Sequence, residues 1–334
     1  MDDLQGGIRQ RTAALALRAD ARSQLAHALT VKFVVDPRLV TKGHEKQLKR
    51  ALEQQAAVSR QAFARARALA PGDPDILWLS ANQCGFDASC EAVQQDLMRA
   101  QPDNAAVWLM AMGWAHARKD ADAERAAFER AVKSSRYDRH GGSAFMAVLD
   151  GYQGLQMPAT CSAADVQEQL QELMQWGKPV TAIDWVLMQA SMQEGTTLPA
   201  YSGLSRTCRP NEGAPLTVSR QDDCIQLVSR VAEGDTLLEQ MMGARLLVEL
   251  TAGTSQGPPW RERYRNQRWM MEQSVTLHAQ STLTPEQIAT GEVQAMQQVL
   301  ERRHLWPAPD GWLPHDAEGR SLIQTGRPPP KPAR

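Results

Sequence analysis

Two proline-marked breaks do most to limit what this chain can fold into. Pro71-Gly72-Asp73-Pro74 and Pro102-Asp103-Asn104 each end one helix-forming run and open another, and the tryptophans that follow them, Trp78 and Trp108, stand 30 residues apart. Proline has no N–H to give a helix interior but suits the first turn. Asp73 and Asn104 are good N-cap residues. A period near that length points to helix hairpins stacked on their neighbours. Between the breaks, Cys84 and Cys90 flank a turn containing Gly85, where one helix should pass into the next.

The surrounding residues agree. Residues 44–70 are rich in Ala, Gln and Arg, with Leu48, Leu52, Ala56, Phe63 and Ala66 forming an apolar stripe at helical spacing. Further helices are expected over about 74–83, 90–100, 105–117 and 121–134. Phe63, Ala66 and Pro71 match the last three signature positions of a tetratricopeptide repeat, and Trp108, Phe128 and Ala131 match an early position and two late ones. On these residues the segment 44–136 resembles the tetratricopeptide family, although Glu124 stands where that family has a small residue. The chain is also similar to a group of bacterial helical-repeat proteins that carry a cysteine turn between repeats and have no established activity. The resemblance implies antiparallel helix hairpins stacked as a solenoid, and it is specific for helical hairpins, not for any ligand; arrays of this kind expose long concave surfaces. It implies no catalytic residue, cofactor or metal ligand.

After Gly141-Gly142 the pattern loosens. Helices are expected over 143–155, 163–176 (capped by Ser162, with Asp165 at the capping-box position), 180–193, 221–233, 235–252 and 260–278, and from Thr284-Pro285 to about 303. Residues 1–11 read as a frayed end before a first helix at 12–34, and 194–220 as a loop rich in Gly, Pro, Thr and Ser. The expected class is all-α. Its expected divisions are tetratricopeptide-like repeats over 12–136, a divergent helical domain over 143–306, and a proline-rich tail over 307–334 that is extended, then disordered from 320.

Charge and hydropathy narrow the function classes. The 37 basic and 38 acidic residues leave a net charge of -1, so no whole-protein field attracts nucleic acid or an anionic membrane. The most basic aromatic stretch, Trp260 to Trp269, places Trp260, Tyr264 and Met271 on one helical face and Arg261, Arg265 and Arg268 on another. An inward-packed amphipathic helix accounts for it without a nucleic-acid ligand. No run reaches the roughly 20 apolar residues of a membrane span. Thr12 to Val35, interrupted by Arg18, Asp20, Arg22 and His27, reads as an amphipathic helix and not a signal-peptide core.

The five cysteines point to a compartment. Cys84 with Cys90, and Cys208 with Cys224 around a polar loop, are candidate disulfides, which leaves Cys161 as a free thiol. Disulfides persist in oxidising compartments. The protein is therefore expected in the periplasm or secreted if the pairs close, and in the cytoplasm if they are ordinary thiols.

No Gly-rich nucleotide fingerprint, phosphate loop, zinc-protease helix or nucleophile elbow occurs. The seven histidines are scattered, and Cys84 and Cys90 are misspaced for zinc. No catalytic, cofactor or metal residue is assigned. The expected function is a scaffold that binds a protein partner, with no nucleic acid, membrane span or enzyme activity. Two alternatives stand beside it. One is an enzyme with a site in 140–225 using acids such as Asp150, Asp165 and Asp184; the other is an inhibitor or immunity-type protein with a single tight partner.

Overall fold

The computed structural model describes residues 2–33, 43–85, 88–153, 182–199, 201–209, 216–278 and 291–329. Among them the protein is all-α, with 15 α-helices that pack against their neighbours and no strand. No described helix is long and apolar enough to cross a membrane.

The chain divides into two compact units, each built from two separate stretches. The first comprises residues 1–100 and 140–198. It contains α1 (Asp2–Ala16), α2 (Ala21–Thr30), α3 (Glu45–Leu69), α4 (Pro74–Cys84), α5 (Glu91–Ala100), α8 (Ser143–Tyr152) and α9 (Ala182–Gly195). The helix starts follow from short side chains. Asp20 accepts from Ser23 N to open α2, and Asp73 accepts from Asp75 N and Ile76 N to open α4 with Pro74 in its first turn. Glu194 of α9 accepts from Gly142 N and Phe145 N, covering the start of α8, where Gly142 takes the left-handed conformation (φ 81°). The core is aliphatic and aromatic: Ile8, Leu25, Leu29, Ile76, Trp78, Leu79 and Phe145 are fully or almost fully buried.

The second unit comprises residues 101–139 and 199–334. It contains α6 (Ala105–Ala117), α7 (Ala121–Lys133), α10 (Tyr201–Cys208), α11 (Val218–Ala232), α12 (Leu237–Leu250), α13 (Gly257–His278), α14 (Glu292–Arg302) and α15 (Ala317–Thr325). Asn104 is wholly buried; it caps α6 through Ala106 N, and its amide bonds Gln101 and the backbone of Asp138.

Several expectations are corrected. Residues 2–16 form a helix instead of a frayed end, and the single helix expected at 12–34 is two, divided at 17–20 where Asp20 caps the second. The expected loop at 194–220 contains α10, held by burial of Tyr201, Leu204 and Cys208 along one face and not by helix propensity. The tail is not simply extended: Asp316 caps α15, Leu322 is buried, and Gly326 ends the helix at φ 76°. The expected helix at 163–176 with its Asp165, the expected free thiol Cys161, and the Thr284-Pro285 start lie outside the described residues.

Both cysteine pairs are joined. The sulfurs of Cys84 and Cys90 are 2.07 Å apart, and those of Cys208 and Cys224 are 2.08 Å apart. The first closes the turn between α4 and α5, with Gly85 at φ 77°. The second ties the end of α10 to α11.

Candidate functional site

A cleft of about 770 Å³ lies within the second unit. Its main wall is one face of α13. Pro259, Glu262, Arg263, Asn266, Gln267 and Met270 recur at helical spacing and all line it. The facing wall comes from Asp235 and Gln240 at the start of α12, and from Val293, Gln294 and Gln297 in the first turns of α14. Trp306 closes one side. The apolar base is a cluster of Leu237, Met270, Val293, Met296, Val299 and Leu300, against which Leu305 and Trp306 pack.

The cleft is rich in amides, most of them held by a neighbour. Gln267 Nε2 donates to Gln240 Oε1 at 3.2 Å, and Gln240 Nε2 donates to the Gly234 carbonyl at 2.7 Å. Asn266 Nδ2 donates to Glu262, and its Oδ1 accepts from Ala308 N at 3.1 Å. Arg263 donates to the Ala232 carbonyl at 2.5 Å and lies 5.3 Å from the centre of the Trp260 ring. Glu262 takes two bonds from Arg265, at 2.7 and 2.9 Å, which hold its carboxyl below the ordinary range. One group is left over. Gln267 is 3% exposed, and its Oε1 has no hydrogen-bond partner. A buried amide oxygen without a donor is costly, and such groups in native proteins call for an explanation.

At one end the cleft meets a buried polar network. Glu239 is fully buried and sits at the third position of α12, where it completes a capping box with Thr236. Its Oε1 accepts from Tyr137 and Tyr201 at 2.5 and 2.7 Å; its Oε2 accepts from Thr236 and from Arg139 Nε at 3.2 Å. Arg139 Nε also lies 2.8 Å from Asp235 Oδ1. Burial works to raise the Glu239 carboxyl, but Arg139 and the hydroxyl donors outweigh it and hold the group low. Asp235 goes the other way: burial raises it more than Arg139 lowers it. Burial, with help from the neighbouring charges, drives the two tyrosines far up. The network fixes the rim of the cleft with one carboxylate firmly ionised beside another that gains a proton more readily than usual.

The residues singled out from sequence lie elsewhere. The four paired cysteines line no part of this cleft, nor does Asp150, which is exposed on α8. Asp184 belongs to α9 of the other unit. The basic stretch is only partly as expected. Tyr264 is buried, but Met271 is exposed and Met270 takes the inward position. Arg268 pairs with Asp316, and Arg265 with Glu262 and the carbonyls of Ala308 and Pro309, so both serve intramolecular contacts. Trp312 packs edge-on against Trp269, with ring centres 5.2 Å apart. Among the described residues no group of three or more His, Cys, Asp or Glu side chains is arranged to hold a metal ion.

No protein-family model, curated protein or solved structure matches the chain.

Proposed function

We propose that this protein is a helical binding scaffold for another polypeptide, and that the cleft of the second unit receives an extended segment of that partner. The observation that carries the reading is the buried, unpartnered Oε1 of Gln267 in a wall of amides. Side-chain amides offer the same donors and acceptors as a peptide backbone. A strand of partner main chain would supply the missing donor and meet Asn266, Gln294 and Gln297 along its length. Trp306 at the side offers the rigid aromatic surface typical of interface anchors. The hairpin spacing of the sequence favours an array of this kind, and the two disulfides favour an oxidising compartment, periplasmic or secreted, as its workplace.

Peptide display on the full chain tests this. Peptides selected on the native protein should lose roughly tenfold or more in affinity on Gln297→Ala and on Trp306→Ala, as removal of an interface anchor does. Peptides that bind both variants as well as the parent, or no enrichment at all, would sink the proposal. Matching melting curves for Gln297→Ala and the parent would show that the cleft, not the fold, is responsible.

A further inference from the structure

A second, smaller pocket of about 250 Å³ lies wholly within the first unit and shares no residue with the cleft. Its charge is one-sided. Lys32, Arg60 and Arg67 line it, and among the described residues no acidic one does. Among the described residues no carboxylate lies within ion-pair distance of these three cations, whereas Arg22, Arg99, Arg136, Arg139 and Arg206 each find one. Lys32 donates to Gln83 Oε1, a neutral acceptor. Burial pushes its ammonium group below the usual range, and it lowers the Arg67 guanidinium by more than the charge of Asp96 raises it, so both charges have been partly taken out of water.

A second observation points the same way. Ser80 also lines the pocket; it is 2% exposed, and its hydroxyl has no hydrogen-bond partner. Ser59, by contrast, donates to the Ala28 carbonyl at 2.7 Å and is satisfied. Three cations and an idle hydroxyl around so small a volume outnumber what a carboxylate's two oxygens need. They suit a tetrahedral oxyanion with several acceptor oxygens and up to two negative charges.

We propose that this pocket binds the phosphate group of a small molecule, held by Lys32, Arg60 and Arg67 with Ser80 as a neutral donor. Cys84 forms part of the wall, so the disulfide to Cys90 shapes the site as well as the turn. The inference is independent of the peptide cleft.

The experiment is calorimetric titration of the full chain with inorganic phosphate, glycerol 3-phosphate and acetate at constant ionic strength. Saturable binding of the two phosphate species is expected, with acetate roughly tenfold weaker or more. Both phosphate species carry the same oxyanion. Tighter binding of the ester assigns the site to a phosphate ester, and tighter binding of inorganic phosphate assigns it to the free ion. Arg60→Gln should weaken phosphate by roughly tenfold or more, the worth of one charge-assisted hydrogen bond. Arg60 is exposed, so that variant should melt with the parent and isolate binding from folding. Phosphate that fails to saturate below about 10 mM, acetate that binds equally well, or an Arg60→Gln protein that binds phosphate unchanged would each overturn the assignment.

Discussion

Gly243 of α12 lies against the backbone of Ala232 so closely that a Cβ placed on it would stand 2.6 Å from the Ala232 nitrogen and 2.7 Å from its Cα. Backbone atoms cannot step aside as a flexible side-chain tip can. Alanine is the better helix former by about 1 kcal/mol, but the clash should reverse that sign. Gly243→Ala is expected to destabilise the second unit by about 1 to 3 kcal/mol, the usual cost of overpacking. Thermal melts followed by circular dichroism check this; a stabilised variant would show that α11 and α12 can separate at little cost.

Glu239 should be among the least replaceable residues of the second unit. It is fully buried and takes bonds from Tyr137, Tyr201, Thr236 and Arg139. Glu239→Leu removes the acceptor for all four and should cost about 3 to 5 kcal/mol, as breaking a buried ion pair does. Glu239→Gln keeps the shape and one acceptor oxygen and should cost less. Urea unfolding of the two variants compares them; both lack the charge, so equal midpoints would contradict the role given to the accepted hydrogen bonds.

Acid should weaken the first unit in two stages. Burial pushes His27 below its ordinary value of 6.5. The folded form therefore takes up a proton less readily than the unfolded one. Stability is whole above about pH 6.5 and is lost progressively as pH falls toward the depressed folded value. Asp75 acts lower. The bond from His140 Nδ1, 3.0 Å from Asp75 Oδ1, is the largest cause that brings its carboxyl from 3.8 down to about 2. Its contribution is present above the unfolded value and disappears between the two. Melting temperature against pH should show both slopes. His27→Leu should flatten the first and Asp75→Asn the second; an unchanged first slope in His27→Leu would assign that loss to another group.

Reduction should loosen both units unequally. Cys84–Cys90 has a sequence separation of 6 and Cys208–Cys224 of 16. On the chain-entropy account these loops are worth about 2 and about 3 kcal/mol. Cys208→Ser with Cys224→Ser should lower the melting temperature more than the corresponding change at Cys84 and Cys90. The opposite order would mean that the shorter loop stabilises by more than entropy.

Helix starts were the most legible feature because a cap is local. Asp73-Pro74 and Asn104 each announce a helix within a few residues, and α4 and α6 begin there. The α10 helix was hidden because Gly203, Ser205 and Thr207 are poor helix formers, and only burial of Tyr201, Leu204 and Cys208 decides the matter. In the tail, Asp316 and Gly326 are a fair start and stop signal that the surrounding prolines masked. The cleft was illegible for a different reason. The spacing of Glu262, Arg263, Asn266 and Gln267 reads as a solvated helix face, and nothing local says that Asp235, Gln294 and Trp306 will come opposite. The pocket of the first unit likewise joins Arg60 and Arg67, two turns apart on α3, to Lys32 and Ser80 from two other helical segments, and only the tertiary fold brings the three segments together.

The interleaving of the two units has a consequence during synthesis. The first unit needs residues 140–198 as well as 1–100, yet residues 101–139 belong to the second. The ribosome therefore delivers the α6–α7 hairpin before α8 and α9 exist, and the first unit waits with the α2 surface that receives α8 uncovered. Cys84 and Cys90 both lie within the first stretch, whereas Cys208 and Cys224 belong to the last and emerge late. An emerging chain of this design carries two half-finished bodies at once, a state in which exposed apolar surface invites chaperones and aggregation alike.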